Sequence, residues 1–310
     1  MFSTIGKYLM EWQPKVTVIM PVFNDYKRLT LCLKALAEQS YSGSIQIIVA
    51  DNNSTKFDDS IIEQYQNVQK IVEMKPGSYA ARNKALQYVN GQIVAFTDSD
   101  CIPSPDWLKN GVALLQNEEI SLVAGNVDIF FEHPSKKPNW VEIFESVLAF
   151  PQKENAALGR SVTANLLIKI EALKQAGIFE EDTFSGADYQ FTRRATSQGF
   201  KMVFGENATV KHPARDSIAQ IRKKARRVVG GFYELRQVDT NMDKQFSLKV
   251  LIEDALPPFH ALRTCLDRRK THGLPWSHIL KAVSIAWHNK LYRLYLKLSL
   301  LIGLGIRTER

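Results

Sequence analysis

Short apolar runs alternate with stretches of helical periodicity through the first hundred residues of this chain. The runs are rich in β-branched residues and have the length of strands; they lie at 16–20, 45–50, 70–72 and 92–97. Between the first two runs, Leu29, Leu33 and Leu36 recur at helical spacing, and residues 80–89 also suit a helix. This alternation predicts a parallel, doubly wound sheet, which binds ligands beyond the carboxyl ends of its strands.

Polar residues follow directly after three of these runs. Pro21-Val22-Phe23-Asn24 follows the first, Asp51 the second and Asp98-Ser99-Asp100 the fourth. Two carboxylates two residues apart at a strand end can bring oxygen ligands to one hard divalent cation, which in turn can neutralise a diphosphate. The alternative is that Asp98 and Asp100 are turn formers, since Asp is common in turns. The ligand that the pair implies is a metal-bound nucleotide.

The second half of the chain shows a weaker alternation. Strands are predicted at 122–127, 161–168, 201–204 and 209–212, with helices at 140–150, 170–176 and 186–199. Beyond Ser217 the sequence predicts helices rich in Arg and Lys, broken at Pro257-Pro258 and at 273–275. A length of 310 residues fits one α/β domain with a helical extension.

The composition excludes several classes of protein. Cys32, Cys101 and Cys265 have no paired spacing, which argues against a disulfide framework or a zinc site and favours a reducing compartment. The first ten residues lack the apolar core of a signal peptide, so a cytoplasmic location is predicted. Of the net charge of +8, the excess lies in residues 211–310, with 20 Lys/Arg against 8 Asp/Glu. Such asymmetry indicates contact with an anionic surface, either phospholipid or nucleic acid.

The ordered motifs of residues 14–230 resemble those of the family 2 inverting glycosyltransferases, which have the GT-A fold and use nucleotide-sugar donors. The resemblance implies an α/β catalytic domain at 14–230 with a mostly parallel central sheet flanked by helices, after a lead-in at 1–13. Residues 231–310 would form a basic, helical C-terminal extension. The motifs that carry the resemblance are Pro21-Val22-Phe23-Asn24, Asp51, Ala81-Arg82-Asn83, Asp98-Ser99-Asp100, Gly125-Asn126-Val127, Gly186-Ala187-Asp188 and Val210-Lys211-His212-Pro213.

The resemblance assigns donor-binding roles to residues near the strand ends. It implies that Pro21, Phe23 and Asn24 line the nucleotide site, and that Asp51 accepts a hydrogen bond from the base, as an acceptor-only carboxylate can. Arg82 would face the donor phosphates, which its fork of N–H donors fits. The alternatives are an Asx turn or helix cap for Asp51 and a solvated helix residue for Arg82.

The resemblance also implies a divalent cation, Mg²⁺ or Mn²⁺, that stabilises the leaving nucleoside diphosphate. Asp100 would be its direct ligand, Asp98 a contact to the ribose or to the metal, and His212 a further member of the cluster. The alternative for His212 is a packing or surface residue, which a lone His more often is. Asp188 would be the catalytic base that takes a proton from the acceptor hydroxyl; the alternative is a helix N-cap.

A basic segment follows His212 and resembles the segment that closes over the diphosphate in relatives. Lys223 and Arg226 lie three residues apart and are predicted to share the helical face that binds it; a solvated basic face is the alternative. Two departures from the family pattern stand out. Ala187 occupies the position where Glu commonly precedes the base, and Asp51 stands alone where relatives often have two consecutive acids.

Residues 279–306 interleave Leu, Trp and Tyr with Lys and Arg, and their longest nearly uncharged run is too short to span a bilayer. The pattern is typical of a helix in the headgroup region of an anionic leaflet, or of a helix packed on the catalytic domain or a partner. The predicted partners are a UDP-, GDP- or dTDP-sugar, a lipid-linked or polysaccharide acceptor, and the inner face of a membrane. Sugar-phosphate nucleotidyl transfer is an alternative, but it favours a Gly-rich loop after the first strand. A non-catalytic protein that binds nucleotide-sugars or nucleic acid is a further alternative, against which the intact Asp98, Asp100 and Asp188 argue. Nucleic acid is not expected as a partner, because its binding leaves the acidic motifs unexplained.

Overall fold

The computed structural model describes residues 12–183 and 185–305, and the side chain of Asn241 is not described. Most of the predicted lead-in at 1–13 lies outside these ranges. The strands are β1 (Val16–Val22), β2 (Ile45–Asp51), β3 (Val68–Val72), β4 (Ile93–Thr97), β5 (Ile102–Pro103), β6 (Ile120–Phe130), β7 (Asn165–Lys169) and β8 (Lys201–Pro213).

Helices alternate with the strands in the first half and dominate the C-terminal part. They are α1 (Tyr26–Ala37), α2 (Ser60–Glu63), α3 (Ser78–Leu86), α4 (Trp107–Leu115), α5 (Trp140–Leu148), α6 (Gln152–Ala157), α7 (Ile170–Ala176), α8 (Ala187–Ser197), α9 (Ile218–Leu235), α10 (Leu248–Ala255), α11 (Phe259–His272) and α12 (Trp276–Leu301), with a 3₁₀ helix at Thr240–Phe246.

The eight strands form one sheet in the order β3-β2-β1-β4-β7-β6-β8-β5. Its first half, β3-β2-β1-β4, is parallel, as the alternation predicts. Beyond β4 the sheet is mixed: β7 runs antiparallel to both of its neighbours, while β6 and β8 are parallel. The predicted α/β fold with a mostly parallel central sheet and C-terminal helices is confirmed. The expected separate strands at 201–204 and 209–212 are one long strand, interrupted by an irregularity opposite Gly125 and Asn126.

Successive residues of a strand point to opposite faces of the sheet, and each face packs in its own apolar layer. On β1, Val18 and Met20 pack with the α1 and α4 side of the sheet, whereas Ile19 packs with the side covered by α3, α7 and α8. Both layers are apolar because a sheet covered on two faces buries every strand position. Since the faces of the sheet are covered, a ligand is expected beyond the strand ends.

The C-terminal helix α12 packs against α5 and α9. Ile279 and Ala282 of α12 join Ile143 and Val147 of α5 in one buried cluster. Leu296 of α12 joins residues of α9 in a second one. The inner side of α12 is therefore packed against other helices, which is one of the two alternatives predicted for residues 279–306. Within the described ranges, none of the helices combines the length and apolar character needed to cross a membrane.

Candidate functional site

A cleft of about 460 Å³ opens beyond the carboxyl ends of β1 and β4, between the start of α8 and the inner face of α9. The parallel register of β1 and β4 brings the residues that follow these strands to the same edge of the sheet. Seven of the residues singled out from the sequence line this cleft; they are Pro21, Phe23, Arg82, Asp98, Asp100, Asp188 and His212.

Asp98 forms an ion pair with Arg82. Oδ1 of Asp98 accepts a hydrogen bond from the Arg82 guanidinium, whose side chain is almost entirely buried. Nε of Arg82 is buried and has no hydrogen-bond partner within the described structure. A buried N–H without a partner is costly, and a phosphate oxygen is one group that can accept a hydrogen bond from it. Arg82 thus reaches the cleft, but its charge is shared with Asp98.

Asp100 faces His212 across the cleft floor. Pairing of Ile102 on β5 with Lys211 on β8 brings the two side chains together, with Oδ2 of Asp100 3.6 Å from Nε2 of His212. Nδ1 of His212 lies 2.7 Å from the carbonyl oxygen of Pro213 and donates to it. That bond fixes the tautomer of the neutral ring, in which a proton on Nδ1 leaves the lone pair of Nε2 on the side of Asp100.

This geometry fits a cation that takes most of its ligands from substrate. Asp100 supplies a carboxylate oxygen and His212 a nitrogen lone pair, and their spacing allows both to contact one ion. Across the described residues, no group of three or more His, Cys, Asp or Glu side chains is arranged as a metal site. For a Mg²⁺ or Mn²⁺ ion held by these two side chains, the remaining ligands would be oxygens of substrate or water. Asp98, engaged by Arg82, is less suited to the ion than Asp100.

Asp188 lies in the first turn of α8, partly exposed to the cleft. It does not occupy the N-cap, because Gly186 does so in the left-handed conformation. Desolvation raises the pKa of the Asp188 carboxyl above its usual value. Hydrogen bonds from the backbone N–H of Tyr189 and from the hydroxyl of Tyr79 act in the opposite direction, as does the charge of Arg82. A carboxylate with a raised pKa is a better proton acceptor than an ordinary Asp.

A basic wall faces these acids. Arg215, Lys224 and Arg227 line the cleft, and Glu145 of α5 lies behind them with only 1% of its side chain exposed. Glu145 contacts Arg215 at 2.6 Å and Lys224 at 3.8 Å. Burial alone would raise the pKa of Glu145, but Lys224 and Arg215 hold it below its usual value. The ammonium of Lys224 also lies 5.3 Å from the ring centroid of Phe150.

Burial lowers the pKa of Lys224 to about 8, and the nearby Arg215 contributes in the same direction. Glu145 opposes this shift. Lys224 is therefore a cation whose charge is lost just above neutral pH, unlike the guanidinium groups beside it.

The structure places Lys223 and Arg226 away from the cleft. Lys223 is exposed to solvent, and Arg226 donates to the hydroxyl of Tyr292 on α12. The cleft-facing pair on α9 is instead Lys224 and Arg227, one residue later in each case. Burial of Ile221, Ala225 and Val229 against neighbouring elements sets the rotation of α9, and that rotation turns the predicted pair outward.

The predicted nucleotide-binding residues divide into two groups. Pro21 and Phe23 line the cleft, whereas Asn24 and Asp51 hold the loop beside it. Asn24, at φ 53°, accepts hydrogen bonds from the backbone N–H and hydroxyl of Thr55. Oδ1 of Asp51 accepts from the backbone N–H of Ser54, 3.0 Å away, and the side chain is buried. The Asx-type turn considered for Asp51 is therefore present.

Glu145 was not predicted from the sequence. Its signal is a carboxylate within the apolar stripe of an amphipathic helix: Val141, Ile143 and Val147 are buried on α5 together with it. A buried carboxylate needs a charged partner, so its position indicates basic residues nearby. Sequence periodicity does not identify them, because Arg215 and Lys224 lie 70 and 79 residues further along the chain.

The protein-family models and the relatives that match this chain are those of glycosyltransferases. The model of the family described as "Glycosyl transferase family 2" matches residues 17–166, and that of "Glycosyl transferase family group 2" matches residues 93–306. The chain is 32% identical to glycosyltransferase AglE of Haloferax volcanii over 88% of this chain and 92% of that protein.

A second relative, from Methanococcus voltae, is dolichyl N-acetyl-alpha-D-glucosaminyl phosphate 3-beta-D-2,3-diacetamido-2,3-dideoxy-beta-D-glucuronosyltransferase. It is 23% identical over 67% of this chain and 70% of that protein. Among solved structures, the mannosyltransferase PcManGT of Pyrobaculum calidifontis, in complex with GDP-Man and Mn²⁺, has a similar fold. The TM-score is 0.62 at 18% identity, covering 94% of this chain and 88% of that one.

Proposed function

The chain belongs to the family 2 glycosyltransferases, and from that premise we propose that it moves a sugar from a nucleoside-diphosphate sugar to a hydroxyl of a lipid-linked glycan or polysaccharide, with inversion at the anomeric carbon. The observation that carries the proposal is the convergence of Asp98, Asp100 and Asp188 with Arg82 and His212 in one cleft. These carboxylates, with the basic wall of Arg215, Lys224 and Arg227 in the same cleft, match the two needs of such a reaction, a proton to be removed and a diphosphate to be released.

The diphosphate end of the donor would lie between the acidic floor and the basic wall. Asp100 and His212 would hold a Mg²⁺ or Mn²⁺ ion, which supplies positive charge to the leaving diphosphate. Arg215, Lys224 and Arg227 lie along the same cleft and would neutralise the charge that develops on the departing oxygen. Glu145 holds two of these cations in place and so pre-organises the wall.

The nucleoside end of the donor would lie toward Pro21 and Phe23. A half-exposed aromatic ring such as Phe23 can stack on a base, and Pro21 is rigid. Asn24 and Asp51 would shape the loop through the turn at Ser54 and Thr55, and Asp51 would accept from the base with an oxygen not used in that turn. The guanidinium of Arg82 would contact the phosphates through its unpartnered Nε.

Asp188 would act as the base. An acceptor hydroxyl that lies against its carboxylate loses its proton to Asp188 while the hydroxyl oxygen bonds to the anomeric carbon. The bond from that carbon to the diphosphate oxygen breaks on the opposite face, so one displacement inverts the centre. The raised pKa of Asp188 supports this role, because it improves the carboxylate as a proton acceptor near neutral pH.

We propose the class of acceptor by analogy with the relatives. The name of the M. voltae relative specifies a dolichyl-linked sugar phosphate as acceptor, and the identity to this chain extends over two thirds of it. We therefore place a lipid-linked glycan first and a polysaccharide second. A cytoplasmic location is supported by the free thiols of Cys32, Cys101 and Cys265. We likewise retain a catalytic domain at 14–230 and an extension at 231–310 as a proposal.

The test is a screen of UDP-, GDP- and dTDP-sugars with Mn²⁺ or Mg²⁺, in which thermal shift reports binding and nucleoside diphosphate release reports turnover. We expect one donor to bind in a metal-dependent manner, Asp100→Ala to lose that dependence, and Asp188→Asn to bind the donor without turnover. Asp182→Asn changes a carboxylate whose side chain is 82% exposed outside the cleft, and it should behave as wild type. Failure of every nucleotide sugar to bind with either metal would overturn the proposal.

A further inference from the structure

Helix α12 is apolar on two sides. One side is buried against α5, α9 and neighbouring helices through Ile279, Ala282, Ile285 and Leu296. The other side carries a second apolar stripe, here called the outer stripe, that faces solvent. Its members are between 44% and 69% exposed; they are Trp276, Leu280, Trp287, Leu291, Tyr295 and Leu298.

The spacing of the outer stripe is that of one helix face. With Ser284 included, its members follow one another by four or three residues, so they lie above one another along the helix. At 1.5 Å per residue the stripe is about 33 Å long. A surface helix normally has its polar residues on this side, so an apolar row there, interrupted at Ser284, indicates an interaction site.

The charges on α12 all have one sign. The helix contains no Asp or Glu, and Lys281 and Lys290 lie about a quarter turn to either side of the outer stripe. Within the described residues, neither lysine forms a salt bridge. Three of the six stripe residues are Trp or Tyr, the side chains that favour the boundary between apolar and polar phases.

From these observations we propose that the outer stripe of α12 docks on an anionic bilayer surface, with its apolar side chains among the acyl chains and Lys281 and Lys290 at the headgroups. An amphipathic helix with Leu and Trp between lysines binds such a surface by apolar burial together with charge attraction. A second copy of the chain fits less well, because two identical stripes would bring lysines together without an acidic side chain on α12 to pair with them.

The bilayer would contact α12, a helix that packs on two elements of the candidate site. The buried side of α12 packs on α5, which carries Glu145, and on α9, which carries Lys224. Docking through the outer stripe would thus hold the cleft at a fixed height above a lipid surface. This orientation suits an acceptor that is itself membrane-bound, but the docking proposal does not depend on the acceptor.

The experiment is co-sedimentation of the full chain with vesicles of phosphatidylcholine alone or mixed in equal parts with phosphatidylglycerol. We expect binding to the mixed vesicles that weakens at high salt. Trp287→Gln combined with Leu291→Gln should reduce partitioning by roughly tenfold or more. Lys281→Gln combined with Lys290→Gln should remove most of the preference for phosphatidylglycerol. The matched control, Leu158→Gln with Ile178→Gln, changes two exposed apolar residues elsewhere and should bind like wild type.

Three results would overturn the proposal. The first is absence of wild-type binding to the mixed vesicles, and the second is binding that Trp287→Gln/Leu291→Gln leaves unchanged. The third is a wild-type dimer, measured by light scattering, that the same double variant converts to a monomer without any vesicle binding, which would make the stripe a self-association surface. Thermal shift with the preferred nucleotide sugar should be equal in all variants, which separates loss of docking from loss of the fold or the donor site.

Discussion

Lys224 lies 3.8 Å from the carboxylate of Glu145, a side chain that is almost completely buried behind the cleft. The pair joins α9 to α5 and places an ammonium of low pKa next to the guanidinium of Arg215. It therefore links the packing of the C-terminal part of the molecule to the electrostatics of the site.

The charge of Lys224 gives a predicted pH dependence. Because the pKa of Lys224 is lowered to about 8, its positive charge is present below that pH and is lost as pH rises through it. If the ammonium contacts the donor diphosphate, the KM for the donor should rise above about pH 8. Lys224→Arg should abolish this rise, because a guanidinium stays charged, and Lys224→Met should raise KM at pH 7 by roughly tenfold. KM measured between pH 6.5 and 9.5 checks this.

The adjacent residue provides the control for that measurement. Lys223 is exposed and does not line the cleft, so Lys223→Met should leave both KM and its pH dependence unchanged. An equal effect of the two substitutions would show that the basic tract acts through its net charge and not through Lys224.

Glu145→Gln should move the break in the KM profile to lower pH. Glu145 raises the pKa of Lys224, so its neutral replacement lets burial and Arg215 depress that pKa further. The variant also leaves Arg215 without its buried partner, and we expect a loss of roughly 3 kcal/mol in the free energy of unfolding. Denaturant titration and the KM profile check the two effects. Glu118→Gln, at an exposed site, should change neither.

His212→Ala should raise the Mn²⁺ concentration needed for half-maximal donor binding by roughly tenfold or more, since one of two ligand candidates is removed. The readout is thermal shift with the donor at increasing Mn²⁺. The exposed His133 offers a comparison, and His133→Ala should follow the wild-type curve. A wild-type Mn²⁺ dependence in His212→Ala would assign His212 to packing against Phe150, whose ring centroid lies 4.7 Å from its own.

Asp254→Ala should destabilise the fold by about 3–5 kcal/mol, because it leaves the ammonium of the fully buried Lys297 without a partner. Burial already lowers the pKa of Lys297. The unfolded chain thus binds more protons, and the stability of the variant should increase as pH rises past that lowered pKa. The double variant Asp254→Leu/Lys297→Met should recover most of the loss. Glu119→Ala, which breaks an exposed pair with Lys201, should cost less than about 1 kcal/mol.

Gly186→Ala should cost roughly 3 kcal/mol, from a positive φ and a steric clash together. Gly186 is the N-cap of α8 at φ 93°, and an added Cβ would lie 2.9 Å from the Phe232 ring. Gly199 has φ 94° with open space around it, so Gly199→Ala should show the backbone cost alone, about 1 kcal/mol. Thermal unfolding gives the loss of stability in both variants, and the difference between the two losses is the cost of the clash. Equal losses would show that the clash does not contribute.

The sequence by itself determined the fold class and the edge of the sheet at which the candidate site lies. Apolar runs of strand length alternating with helical periodicity require a sheet covered on both faces, and parallel strands deliver their final residues to one edge. For this reason the order of motifs along the chain is enough to group Pro21, Asp98 and Asp100. The C-terminal breaks at Pro257 and at 273–275 also lie between helices, because proline and glycine interrupt helices locally.

Only the tertiary structure decided which basic residues face the cleft. Six positions of α9 hold five cations, Arg222, Lys223, Lys224, Arg226 and Arg227, and their sequence carries no information on how the helix is rotated. That rotation comes from burying Ile221, Ala225 and Val229 against the rest of the molecule, and it selects Lys224 and Arg227. Glu145 and the antiparallel course of β7 arise in the same way. Each depends on contacts between segments that are distant in the chain. A local sequence pattern contains no information on the energies of those contacts.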